Sequence, residues 1–120
     1  MSELGIRDDQ AAVCRRFGVK PVAAPYDQKV GVARDTLLAE LLPINALRHP
    51  AVGDTTGWYI WAGGPASTSP DFYQPMHVEH LADVCPQLVP YLALPPGWRV
   101  LLAPGHEDVW FDDELLRAES

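Results

Sequence analysis

The run Gly57-Trp58-Tyr59-Ile60-Trp61-Ala62-Gly63 decides the architecture. Between its two glycines every residue is apolar or aromatic, so both faces of an extended chain would be greasy. A strand of that kind belongs in the middle of a sheet, covered on both sides. It needs neighbours, and the flanking sequence supplies candidates.

Downstream, residues 98–103 and 108–111 are strand-like runs joined by Pro104-Gly105-His106-Glu107, which predicts an antiparallel hairpin. Upstream, residues 29–34 read as a strand in which Val30 and Val32 alternate with smaller neighbours. The remaining periodic stretches are helical. Asp8 or Asp9 caps a helix running to about Phe17, with Ile6, Val13 and Phe17 as an apolar stripe, Arg15 and Arg16 in the last turn and Gly18 as terminator. Pro21 and Pro25 then impose an extended connector. Asp35 caps a brief helical segment over 36–42 that Pro43 ends. Residues 77–85 predict a helix with Val78, Leu81 and Cys85 on one stripe, and Pro86 opens a second piece containing Leu88, Val89 and Leu92. Pro95-Pro96-Gly97 stops it.

Residues 43–56 have mixed polarity, two prolines and Gly53, and read as a long structured loop. Residues 64–70 read as a surface loop, and 112–120 as a polar helical turn or frayed tail. The sum is an α+β protein: a small, largely antiparallel sheet with helices packed on one face, rather than a wound series of parallel units. No linker divides the chain, so 1–120 is expected to be one domain, opened by the helix and connector of residues 1–28.

Composition narrows the function. The chain has 120 residues, 48% hydrophobic and 21% charged, the balance of a folded protein with its own core. Its apolar runs fall far short of the roughly 20 residues that cross a bilayer. Residues 1–9 carry three acids and no apolar stretch, which does not fit a secretory signal and points to the cytoplasm. Cys14 and Cys85 have no partner at metal-ligand spacing and are expected as buried free thiols. Sixteen acids against nine bases give a formal charge of −7, which repels phosphate backbones and anionic lipid. Nucleic acid and membrane are therefore poor partners; a basic protein is a good one.

Sites for chemistry are few. In His77-Val78-Glu79-His80 two imidazoles three residues apart share a helix face and could hold a metal, with Cys85 a turn further on. A third ligand is not evident, and the competing role is capping or hydrogen bonding at the helix start. No Gly-x-Ser-x-Gly elbow, phosphate loop or Cys-x-x-Cys pair occurs, and Ser67 and Ser69 fall in the surface loop. His106, Glu107 and Asp108 could act as acid and base, though solvated turn residues are the simpler reading. No cofactor is called for. Trp58, Trp61, Trp98 and Trp110 all fall in expected strands, so alternation must turn some of them away from the helices. An outward Trp ringed by acids such as Asp108 and Asp112 has the character of a protein-binding hot spot.

Five blocks in order carry a family resemblance: Lys29-Val30-Gly31-Val32; Pro43-Ile44-Asn45-Ala46-Leu47-Arg48-His49-Pro50; Gly57 to Gly63; His77-Val78-Glu79-His80-Leu81 with Cys85-Pro86; and Leu94-Pro95-Pro96-Gly97-Trp98-Arg99 followed by Glu107-Asp108-Val109-Trp110-Phe111-Asp112. Over about residues 29–116 the chain resembles the bacterial immunity proteins numbered thirty-three among those of polymorphic toxin systems, departing where Ala46 and Ala93 stand in place of the usual Gly. The resemblance implies a cytoplasmic protein that binds and blocks a cognate toxin, which the chain's negative charge leads one to expect to be basic, and brings no catalytic residues with it. The expected contacts are Arg48, His49, Trp61, Glu79, Asp108 and Trp110. Two other readings stay open: a small metal-dependent enzyme centred on His77, Glu79 and His80, and a housekeeping interaction module. The hairpin edge could pair two copies, although nothing in the pattern demands it.

Overall fold

The computed structural model describes residues 6–117. Six strands form one sheet: β1 (Lys29–Val32), β2 (Ile44–Arg48), β3 (Thr55–Ala62), β4 (Gln74–His77), β5 (Trp98–Ala103) and β6 (His106–Phe111), in the order β4-β1-β3-β2-β5-β6. Only β1 and β3 run parallel; every other neighbouring pair is antiparallel. Helices α1 (Asp8–Arg16) and α3 (Val78–Val84) and a 3-10 helix (Pro86–Tyr91) bury Val13, Cys14, Val78, Leu81 and Leu88 against Val30, Val32, Ile44, Ala46, Trp58, Ile60 and Val100 of the sheet. The α+β arrangement with helices on one face is the expected one. The short α2 (Arg34–Leu38) follows β1 directly, its Thr36 hydroxyl accepting from the Ala62 amide at the end of β3.

The main departure from expectation is β2. Residues 43–56 read as a loop, yet Ile44–Arg48 is a central strand between β3 and β5. Its inward residues are Ile44, Ala46 and Arg48, and Arg48 is only 2% exposed. An inward arginine hides the apolar alternation that would have announced the strand. Burial is tolerated because the guanidinium donates to five backbone carbonyls: Nε to Thr56 at 2.9 Å, Nη1 to Val22, Leu92 and Leu94 at 2.8, 3.2 and 2.9 Å, and Nη2 to Ala23 at 3.0 Å. It also lies 5.7 Å over the ring of Trp58, whose indole N–H donates to the same Leu92 carbonyl at 2.9 Å. Desolvation pulls the Arg48 pKa down to about 10, still far above neutrality, so the group inside the protein is a cation.

Other boundaries move by small amounts for identifiable reasons. β4, which contains Pro75, had no strand signature; it pairs only with β1, and an outermost strand tolerates proline. The hairpin turn is shorter than expected, with Ala103 paired to His106 across Pro104-Gly105 alone. Proline followed by glycine at φ 69° suits the two central positions of a type II turn. Cys14 and Cys85 are free thiols, each 1% exposed. Burial pushes the Cys85 pKa up to about 11, the opposite of what a reactive thiolate needs. No described helix is long and apolar enough to cross a membrane.

One polar contact clamps α1 to the β6 edge of the sheet. Arg16 donates to both carboxylate oxygens of Glu107 on β6, at 3.2 and 2.8 Å, and the Tyr91 hydroxyl donates to the same carboxylate. The Arg16 hydrogen bond, helped by Tyr91, holds the Glu107 carboxyl below the usual carboxylate range. Burial, with Glu107 beside it, pushes Tyr91 up to about 12.

Two stability measurements check these contacts. Arg48→Ala is expected to cost at least about 3 kcal/mol in urea unfolding, because several buried carbonyls lose their donor, and Arg48→Met, which restores bulk without donors, should recover little of it. A full rescue by Met would reduce Arg48 to packing. Glu107→Gln should lower the melting temperature at pH 7. Since the native carboxyl titrates below its unfolded value, its contribution is present above the unfolded pKa and disappears as pH falls through the folded one. Wild type and variant should therefore converge in acid, and a gap that persists there would refute the charge assignment.

Candidate functional site

With the helices on one side, the other face of the sheet is defined by the residues that alternate with the core. One register row crosses all six strands: Pro75, Gly31, Tyr59, Leu47, Arg99 and Trp110, each paired with the next. The adjacent row runs Trp61, Asn45, Leu101 and Asp108. His49, one residue beyond β2, reaches the same side, with its ring 5.6 Å from Tyr59 and Nδ1 donating to the Leu115 carbonyl at 3.1 Å. Trp61, Asp108, Trp110 and His49 are thus brought to one face. At about 4.8 Å per strand step, Trp110 and Tyr59 stand roughly 14 Å apart in their row.

The two halves of this face differ. On the β1 and β3 side an aromatic cluster is packed shut: Tyr59 lies 5.1 Å from Tyr73, which lies 6.3 Å from Trp61 and 4.8 Å from Phe72. Trp61 is only 6% exposed, and its indole N–H donates to the Gly64 carbonyl at 2.9 Å. Gly31 makes room for the cluster. A Cβ there would stand 2.6 Å from a ring carbon of Tyr59, well inside contact distance.

On the β5 and β6 side the face is open. Trp110 is 40% exposed, and the Arg99 guanidinium sits 5.6 Å from its ring centre while donating to Asp112 at 3.0 Å. That hydrogen bond draws the Asp112 carboxyl below its ordinary pKa. The second oxygen of Asp112 accepts from the Glu114 amide and starts a 3-10 turn over Asp113–Leu116. Asp108 and His106, both exposed, are 3.0 Å apart on this face. Glu107 points to the opposite face, so His106, Glu107 and Asp108 do not converge as an acid-base group.

The remaining expected contacts lie elsewhere. Arg48 points into the core among its carbonyls. Glu79 is exposed on α3, on the helix side, with its carboxylate 3.5 Å from His80. His77 closes β4 at the N-cap of α3 without a side-chain capping bond, its ring 6.3 Å from that of His80. Among the described residues no group of three or more His, Cys, Asp or Glu is placed to share a metal ion.

The geometry defines a small α+β sheet protein whose α-helices lie on one face of the sheet and whose other face carries a half-exposed Trp110 at the outer hairpin. The chain belongs to the Imm33-like domain family, whose profile matches residues 9–112, and Imm33 is an immunity protein family of polymorphic toxin systems. The match reaches back through the connector into α1, twenty residues before the point at which the quoted blocks begin. No curated protein and no solved structure matches the chain.

Gly31→Ala is expected to destabilise the protein by about 1–3 kcal/mol through overpacking against Tyr59. In a double-mutant cycle with Tyr59→Ala the two changes should be strongly non-additive, the second substitution relieving the clash created by the first. Additive losses would show that Gly31 serves some other need.

Proposed function

We propose that this protein neutralises a cognate bacterial toxin by binding it through the β5 and β6 corner of the bare sheet face. The observation that carries this reading is the exposed Trp110, stacked by Arg99 and bordered by Asp108 and Asp112. Large aromatics half-exposed at the centre of a polar surround supply most of the affinity in protein interfaces, and Trp is the most enriched of them. Arg99 is held in place by Asp112, so little side-chain order remains to be lost on binding. The formal charge of −7 favours a basic partner and speeds the encounter. Trp61 and Arg48 act in support, one filling the aromatic cluster and the other fixing the strands. The immunity family gives the reading its biological setting, a toxin met in the cytoplasm of the cell that must survive it.

The test begins with a pull-down from lysate of the producing cells at low and high salt. Recovery of one basic toxin that weakens with salt is the expected outcome; a housekeeping partner in its place would replace the toxin reading. With that complex in hand, Trp110→Ala should raise Kd about thirtyfold, equivalent to about 2 kcal/mol, without lowering the melting temperature. Asp108→Lys should mainly slow association and flatten its salt dependence. An unchanged Kd for both would remove this corner from the interface. Trp61→Ala, by contrast, should show itself in stability.

A further inference from the structure

β6 is the outermost strand of the sheet, and the phase of its hydrogen bonds can be read from its end. The Asp112 amide donates to the Gly97 carbonyl at 2.7 Å, which sets the phase of the ladder as bonded at positions 97 and 112, although the Gly97 amide itself turns to the Arg48 carbonyl at 2.8 Å. In an antiparallel ladder bonded positions recur at every second residue. His106, Asp108 and Trp110 therefore turn their backbone groups towards β5, and Glu107, Val109 and Phe111 turn theirs outward. No hydrogen bond among the described residues takes up those outward groups. Glu107, Asp108, Trp110 and Phe111 are exposed along this edge, and only Val109 is half-buried.

The opposite edge is different. β4 has four residues, includes Pro75 and runs straight into α3, features that blunt an edge against pairing. β6 has six residues and no proline, with a large aromatic on each face: Trp110 on the bare face, and Phe111 on the helix side 5.8 Å from Trp98. An added strand would find an aromatic wall on both sides of its backbone. The sign of its side chains follows from charge: five acids, Glu107, Asp108, Asp112, Asp113 and Glu114, lie within residues 107–114, and of these Arg16 pairs with Glu107 and Arg99 with Asp112, which leaves the edge acidic on balance. A second copy of this chain would bring another five acids to the same line. A strand bearing Lys or Arg would instead be attracted, most of all by Asp108 on the bare face, since Glu107 on the other face is already paired with Arg16.

We infer that the free edge of β6 is a docking site for a basic β-strand of a partner protein, which adds to the sheet as a seventh strand beside Trp110 and Phe111. This rests on the binding reading above and names its mode: main-chain hydrogen bonds to Glu107, Val109 and Phe111, with acid-base pairing selecting the partner.

The test uses the whole protein and a short synthetic peptide alternating Val and Lys, compared with its Val and Glu counterpart and with a version N-methylated at alternate residues. Amide exchange by NMR is expected to slow at Glu107, Val109 and Phe111, and not further at Asp108 and Trp110, with the Lys peptide alone and less so in high salt. Val109→Pro, which removes an outward N–H without removing a ladder bond to β5, should weaken the Lys peptide at least about tenfold. The N-methylated peptide makes the same point with the wild-type chain. Slowed exchange without that alternation, equal effects of the two charge types, or no effect would overturn the inference. So would protection of the same amides in the peptide-free protein alongside a dimeric mass, which would give the edge to a second copy. The pull-down is independent of this result: a toxin recovered without β6 protection by the peptide sinks the edge alone, and β6 protection without any toxin sinks the toxin reading alone.

Discussion

A buried cation without a buried anion organises this protein. Arg48 sits at the end of β2 and collects carbonyls from the connector at Val22 and Ala23, from β3 at Thr56 and from the segment after the 3-10 helix at Leu92 and Leu94. An unpaired charge in an apolar interior costs many kcal/mol, and here the compensation comes from oriented backbone dipoles rather than from a carboxylate. All but the Thr56 carbonyl belong to chain outside the strands, with no sheet ladder to use them. One side chain thus solves two problems at once, its own desolvation and the hydrogen bonding of segments that pass beneath the sheet. Arginine suits the task because a fixed planar fork of five N–H groups can reach several chain segments together, which a lysine could not do.

The division of labour between the faces follows. Because the connector and the 3-10 helix are drawn to Arg48, and α1 is clamped by Arg16 to Glu107, the helical layer is committed to one side of the sheet. The opposite side carries no α-helix among the described residues. Over β1 and β3 it is closed by aromatics seated on Gly31; over β5 and β6 it remains open around Trp110. Position along a single register row, from Pro75 to Trp110, is what separates the closed half from the open one.

Much of this was legible in the sequence where a single physical signal dominated. β3 announced itself by unbroken hydrophobicity, the hairpin by Pro104-Gly105 between apolar runs, and the 3-10 helix by Pro86 in its first turn. β2 was not legible, because its inward residues are Ile44, Ala46 and Arg48 while Leu47 faces outward, so the period of two is scrambled by the residue that matters most. β4 was hidden by Pro75, which is compatible with a strand only at an edge, and edge status is a property of the assembled sheet. Alternation said only that some of the four tryptophans must face away from the helices; the assembled register makes these Trp61 and Trp110, with Asp108 beside them. Nor could alternation show that Tyr73 would cover Trp61, since that contact joins residues twelve apart through a loop without periodicity.

The acids of residues 107–114 have a consequence for the edge they line. An unpaired strand is a hazard because any other strand, including its own copy, can pair with it, and charge along the edge is a common defence. Here the defence is of one sign. Uncharged strands gain nothing from it, acidic strands are repelled, and copies of this chain, each at −7, are repelled most of all. A basic strand is the one class for which the barrier becomes an attraction. On the proposed reading the same carboxylates keep the protein from pairing with itself and set its specificity, so discrimination against wrong strands and recognition of the right one do not require separate residues.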